Sequence, residues 1–313
     1  MRASSGRYCL RVPSLLLALV AAAGCSRSAP QEPPKPPPPP LEYLGKWGTK
    51  GDGPGQLSRP ASLAVDATGN VYVADPGSGF VHKFDPQGHP LLSFLDPALS
   101  HPDSIAVDLG GAIYVTDPAR GSVFIFYPDG TRYREIRCAP RRSAAAPLSV
   151  TADEEGKMYV LDAHLHRVQK FSLRGRLEKV WGKQGSELGQ MESPAAIVIG
   201  PDGFLYVSDA GNRRIEKFTR EGDYVASFSV SPSGAASGIA GVAVSEKYVF
   251  AADPQAHRIQ VWTLDGQHRL TDDLGNHLRP HDATPYTIAV SPRGEFLVLD
   301  PAGPGVLRFR INF

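Results

Sequence analysis

Six aspartates, Asp75, Asp117, Asp162, Asp209, Asp253 and Asp300, each close a short apolar run, and they follow one another at intervals of 42 to 47 residues. Six positions after each stands a branched aliphatic residue: Val81, Val123, Val168, Ile215, Ile259 or Val306. Nine positions after each stands an aromatic, Phe84, Phe126, Phe171, Phe218, Trp262 or Phe309, in a chain where aromatics make up only 9% of residues. Gly88, Gly130, Gly175, Gly222 and Gly266 follow at thirteen positions, and the sixth unit reaches Phe313 before its own. Gly69, Gly111, Gly156, Gly203 and Gly294 precede the aspartate by six positions, at a hairpin that favours positive φ. A unit of this length cannot bury its apolar face alone, so its copies must stack on one another.

The fourth copy shows the local structure. Residues 197–199 and 204–207 flank a Pro201-Asp202-Gly203 turn, and a third run, Arg214–Phe218, follows an Asp-Ala-Gly-Asn corner. With an outer strand added, each period holds four antiparallel strands, which predicts an all-β, six-bladed β-propeller. Pro60, Pro102, Pro147, Pro194 and Pro285 open five of the units, where a missing N–H costs no ladder bond. Residues 41–59, LEYLGKWGTKGDGPGQLSR, match 177–193, LEKVWGKQGSELGQMES: an outer strand ending in Trp-Gly, then a glycine-rich loop. The last unit stops after its third strand, so Leu41–Trp47 is expected to supply the fourth strand of that blade and tie the two ends together.

Motifs such as RPASLAVDATGNVYVAD and DAGNRRIEKF make residues 41–313 resemble NHL-repeat β-propellers of the bacterial lipoprotein type. The resemblance is specific for fold and not for activity. Six-bladed relatives that catalyse, such as peptidyl-hydroxyglycine amidating lyases and calcium lactonases, place His, or Asn, Asp and Glu, where the inner strands begin. Here those positions read Ala61-Ser62, Asp103-Ser104, Leu148-Ser149, Ala195-Ala196, Ala240-Gly241 and Tyr286-Thr287, with one carboxylate among them. One carboxylate among twelve positions does not assemble a three- or four-ligand site, so a binding or scaffold protein is expected, with no cofactor or metal. A metal-dependent lyase or lactonase-like hydrolase, drawing ligands from loops, is the alternative.

Residues 1–24 carry Arg2, Arg7 and Arg11 and then an apolar run over 15–23, the pattern of a secretory signal too short to span a membrane. Ala22-Ala23-Gly24-Cys25 resembles a bacterial lipobox, which implies lipidation of Cys25 and an exported protein anchored to a membrane, the outer membrane in particular. An ordinary signal peptide with Cys25 unmodified is the alternative. Residues 25–40 continue as a proline-rich linker that favours polyproline II and builds no core.

Loss of residues 1–24 would leave 30 basic against 32 acidic residues, which gives no general attraction for nucleic acid. The expected partner is instead a protein, peptide or envelope polymer, bound by a monomer. Of three cysteines only Cys138 falls in the repeat region, so packing and not a disulfide must hold the ring. Without a histidine fixed beside it in sequence, Cys138 reads as a small buried residue.

Strand alternation puts the loops entering each blade and the aspartate corners on one face, and the two sets of glycine turns on the other. Long, dissimilar loops lie on the first face, at 48–59, 138–146, 182–193, 229–237 and 270–283. His101, Asp103, His164, His166, His257, His277 and His281 map there and form the candidate binding face. His277 to Asp282 offers metal donors, but Pro280 breaks any helical spacing. The six repeated aspartates read as corner acceptors of backbone N–H groups, since architecture needs six copies and catalysis needs one. Arg132 and Arg134 alternate onto the exposed side of an outer strand, where charge discourages sheet pairing.

Overall fold

The computed structural model describes residues 40–138, 147–230, 238–274, 287–300 and 303–313. Those residues form six four-stranded antiparallel sheets arranged as a ring, and Cys25, His277 and His281 lie outside them.

Strand β1 (Leu41–Trp47) comes first in the chain and belongs to the last blade. Blade 1 contains β2 (Ser62–Val65), β3 (Val71–Asp75), β4 (Phe80–Phe84) and β5 (Pro90–Phe94). Blade 2 contains β6 (Ile105–Val107), β7 (Ile113–Asp117), β8 (Ser122–Phe126) and β9 (Arg132–Arg137). Blade 3 follows with β10 (Pro147–Ala152), β11 (Met158–Asp162), β12 (Arg167–Phe171) and β13 (Leu177–Trp181). Blade 4 has β14 (Pro194–Ile199), β15 (Leu205–Asp209), β16 (Arg214–Phe218) and β17 (Tyr224–Ser229). Blade 5 has β18 (Gly241–Val244), β19 (Tyr248–Asp253), β20 (Arg258–Thr263) and β21 (His268–Asp273). Blade 6 has β22 (Thr287–Val290), β23 (Glu295–Asp300) and β24 (Gly305–Ile311), and β1 completes it. Leu41 pairs with Ile311 and Trp47 with Val306, so the ring closes through the two ends of the domain as the matched segments predict.

Six apolar clusters, one between each pair of neighbouring blades, make up the core. Period-2 alternation decides which neighbour each side chain meets. Val71 and Val73 turn toward blade 6, while Tyr72 and Ala74 turn toward blade 2. Because both faces of the second strand are covered, β3, β7, β11 and β15 are buried along their whole length. Of the prolines, Pro147 and Pro194 are first residues of their strands, whereas Pro60 and Pro102 stand two and three residues earlier.

The repeated aspartates are all buried. Asp75 accepts from the N–H groups of Gly77 in its own corner and of Ser58 and Arg59 in the loop entering the blade. Asp117 does the same with Arg120, Ser100 and His101, and Asp209 accepts from Glu192 N–H. Each such carboxylate therefore pins an entry loop to a corner, a longer reach than a turn alone requires. Asp162, Asp209 and Asp253 also pair with an arginine five residues on, Arg167, Arg214 and Arg258.

Candidate functional site

Among the described residues two concave regions lie along the ring axis. The axial channel is a cavity of about 420 Å³ walled by the six inner strands. Four of its five described hydroxyl side chains are tied up between blades: Ser62, Ser149 and Thr151 accept backbone N–H groups of the next blade, and Thr287 donates to Ala61 O across the closing seam. Blade-to-blade stitching thus explains the small and hydroxyl residues that the sequence puts there.

Asp103, half-buried, is the one carboxylate of the channel wall among the described residues. Burial holds its carboxyl above the usual range, with His101 opposing and the Asp117 charge adding to the rise. His101 itself is exposed, with its N–H 3.3 Å from Asp117. These two are the members of the predicted face that the fold brings together.

The other histidines divide differently. His164 is exposed at the blade 3 corner. His166 and His257 have φ of 49° and 52°, the left-handed conformation that Gly79 and Gly121 adopt at the same position of blades 1 and 2. They are two copies of one corner position, and His166 Nδ1 accepts Ser193 N–H at 3.1 Å. Counting from each aspartate would have shown this. Among the described residues no three His, Cys, Asp or Glu side chains come together as a metal-holding group. Cys138 is buried, and burial pushes its thiol up to about 12, so at neutral pH it is not a thiolate. Arg132 and Arg134 are engaged with neighbouring blades and are not simply solvated: Arg132 pairs with Asp96 at 3.0 Å, and Arg134 donates to Arg174 O.

On the loop-bearing face two entry loops share one backbone. Gly48, Gly51 and Gly55 correspond in spacing and positive φ to Gly182, Gly185 and Gly189. Gly51 N–H bonds Leu57 O as Gly185 N–H bonds Met191 O, and Leu57 N–H bonds Thr49 O as Met191 N–H bonds Lys183 O. Each loop is latched from below by a buried third-strand residue. Glu216 accepts Gly189 N–H directly, while His82 reaches Gly55 N–H through Ser93 Oγ. Arg214 adds bonds to the carbonyls of Ser186, Glu187 and Gln190. Burial pushes Glu216 up to about 7 against the Gly189 N–H and Arg214 at 3.1 Å, and the Asp209 charge adds to the rise. The loops enter blades 1 and 4, which stand opposite each other in the ring.

The opposite, hairpin face carries a funnel of about 720 Å³. Its floor is an apolar ring of the last inner-strand residues, Val65, Val107, Ala152, Ile199, Val244 and Val290, shared with the channel. Around it runs a feature read past in the sequence: a tyrosine three before the repeated aspartate clasps a turn aspartate. Tyr72, Tyr114, Tyr159 and Tyr206 donate to Asp66, Asp108, Asp153 and Asp202 at 3.2, 2.9, 3.1 and 2.7 Å. Blades 5 and 6 replace both partners together, with Ser245 and Phe250, and Ser291 and Leu297.

No family model matches the chain, and no curated protein sequence matches it. Solved structures do. A streptogramin B lyase superposes with a TM-score of 0.64 at 14% identity, over 87% of this chain and 98% of the other. Virginiamycin B lyase from Staphylococcus aureus gives 0.58 at 16%, over 87% and 89%. Kuenenia stuttgartiensis hydrazine synthase gives 0.59 at 13%, over 81% and 96%. At such identities the likeness is one of fold.

Proposed function

We propose that this chain is an exported, lipid-anchored binding protein that holds a protein, peptide or envelope polymer on the loop-bearing face of its propeller. The twin loops carry this reading. Each is fixed by buried latches, and each presents its tip to solvent, with Leu188 64% exposed and Pro54 exposed. Two rigid loops set on opposite sides of an axis lose little conformational freedom when they grip a partner. Export and lipidation at Cys25 would place that grip at a membrane surface.

A photo-crosslinking residue at position 188, and another at Leu91 on the outer wall, tests the reading in intact cells. Leu91 is 55% exposed, so chance encounters report equally from both sites. Adducts from 188 and none from 91 are the expected result. Adducts from 91 alone, or none from either, would falsify the assignment of the face.

A lyase or hydrolase is the second reading, and the closeness of the His101 charge to Asp103 in the channel wall favours it. A half-buried acid with a raised pKa beside an imidazole is a plausible proton-transfer couple. Turnover of ester, lactone or hydroxyglycine substrates by the purified chain, with and without added Zn²⁺ or Ca²⁺, separates the two readings.

A further inference from the structure

Among the described residues, the tyrosine clasps around the hairpin-face funnel have a cation near the aspartate in three blades and none in blade 2. In blade 4 the clasp aspartate, Asp202, stands two residues past the turn position that Asp66, Asp108 and Asp153 occupy and Gly200 fills. In blades 1, 3 and 4 a third-strand lysine lies over the clasping tyrosine: Lys83 over Tyr72 at 5.0 Å, Lys170 over Tyr159 at 5.8 Å and Lys217 over Tyr206 at 5.1 Å. Each clasp aspartate there also has a cation within reach. Lys83 stands 3.9 Å from Asp66, Arg220 stands 3.7 Å from Asp153, and Lys217 stands 2.8 Å from Asp202. Blade 2 departs from this pattern, because Ile125 occupies the lysine position. Asp108 accepts from Ala112 N–H and Tyr114 O–H, and among the described residues it has no ion pair.

Asp108 lines the funnel, and the next residue of its turn, Leu109, is 74% exposed. A carboxylate beside an exposed leucine asks for a ligand that is cationic at one point and apolar next to it. The described lining of the funnel is acidic on balance, with Asp66, Asp108, Asp153, Glu154 and Glu246 against Lys247 and Arg220, the last paired with Glu154 at 2.8 Å, and that balance disfavours anions. Across the funnel Tyr248 and Phe313, with ring centroids 4.9 Å apart, offer an aromatic wall.

We propose that Asp108 docks a lysine side chain of a partner peptide. The incoming ammonium completes the blade 2 clasp as Lys83 and Lys217 complete theirs, and its alkyl stem and an adjacent apolar residue lie along Leu109 and the funnel wall. This site is on the face opposite the twin loops and goes beyond the binding role assigned to them.

The test titrates the full chain with fluorescein-labelled Gly-Leu-Lys-Leu-Gly and with Gly-Leu-Gln-Leu-Gly, read by anisotropy. Loss of the lysine charge should weaken binding about tenfold, the scale of one charge-assisted hydrogen bond. Ile125→Lys, which gives blade 2 the cation of its sisters, should weaken the lysine peptide by about the same factor. Asp108→Asn keeps the turn acceptor and should do likewise, and it decides the matter if Ile125→Lys does not fold. Equal binding of the two peptides, absence of saturable binding, or wild-type affinity in Asp108→Asn overturns the proposal. Spermidine that displaces the peptide at equal concentration overturns it too, since a free polyamine would then be the ligand.

Discussion

Trp47 packs directly against Gly88: a Cβ at position 88 would stand 2.4 Å from Trp47 Cγ. Trp47 ends the strand that closes the ring, and Gly88 is the outer turn of the next blade. The same contact recurs between Phe94 and Gly130, Ile136 and Gly175, and Trp181 and Gly222, so each outer strand docks on its neighbour's turn glycine. Blade 6 has no such turn, because its outer strand comes from the start of the domain. Blade 5 accordingly carries Asp272 where the others carry Trp, Phe or Ile. Gly88→Ala should therefore cost about 2–5 kcal/mol, from strain at φ 91° and from overpacking against the indole. Gly294→Ala, at φ 74° with open space around it, should cost only the strain, roughly 1–2 kcal/mol. Urea denaturation of the two variants measures the difference, and equal losses would remove the docking argument.

Ring closure makes a second prediction. Deleting residues through 47 strips β24 of its partner and uncovers the edge of blade 6, along with the Tyr43–Phe309 and Trp47–Phe84 ring contacts. That chain should lose cooperative melting or gain protease sensitivity. A chain cut only through residue 39 should melt within a few degrees of the full chain.

The fold was legible because six copies of one pattern average out local ambiguity, and because the two Trp-Gly segments match over most of their length. The site was less legible, since a repeat hides function in the positions where copies differ. His166 and His257 read as a histidine-rich face until each is counted from its own aspartate, when they fall on the left-handed corner position. Asp202 reads as a turn residue until Tyr206 is counted with it, and Asp66, Asp108 and Asp153 stand out only when their tyrosines are counted with them. The departure that matters, Ile125 among lysines, is a single apolar residue in a strand and carries no signal outside that comparison.

Two latch residues give opposite pH dependence. Burial lowers His82 to about 4, so between pH 6.5 and 4 the unfolded chain binds a proton that the folded chain refuses. Its contribution is full above pH 6.5 and falls as pH drops, by on the order of 2–3 kcal/mol. Glu216, raised to about 7, holds a proton that the unfolded chain releases above pH 4.5. Its contribution is full below pH 4.5 and falls as pH rises to 7. Blades 3 and 5 carry Gln169 and Gln260 at this position, so His82→Gln and Glu216→Gln are replacements the repeat already tolerates. The first should flatten the acid side of the stability profile and the second the side toward neutrality, as read from melting temperature between pH 4 and 7.5.

Arg214 tests whether the twin loops are held independently. In blade 4 its guanidinium bonds the carbonyls of Ser186, Glu187 and Gln190 and pairs with Asp209 and Glu216. Blade 1 has Phe80 at that position, stacked on His82 at 5.3 Å, and holds its loop without an arginine. Arg214→Ala removes three carbonyl contacts and leaves Asp209 buried without its cation, a loss of about 3 kcal/mol or more. Hydrogen exchange at Gly185 and Met191, whose N–H groups fasten the loop, should accelerate by at least tenfold, roughly the effect of 1.4 kcal/mol. Exchange at Gly51 and Leu57 should stay as it was, because no part of their latch touches Arg214. Acceleration of both loops together would mean that the entry loops share one opening unit, and the two-handed grip proposed for this face would then act as a single element.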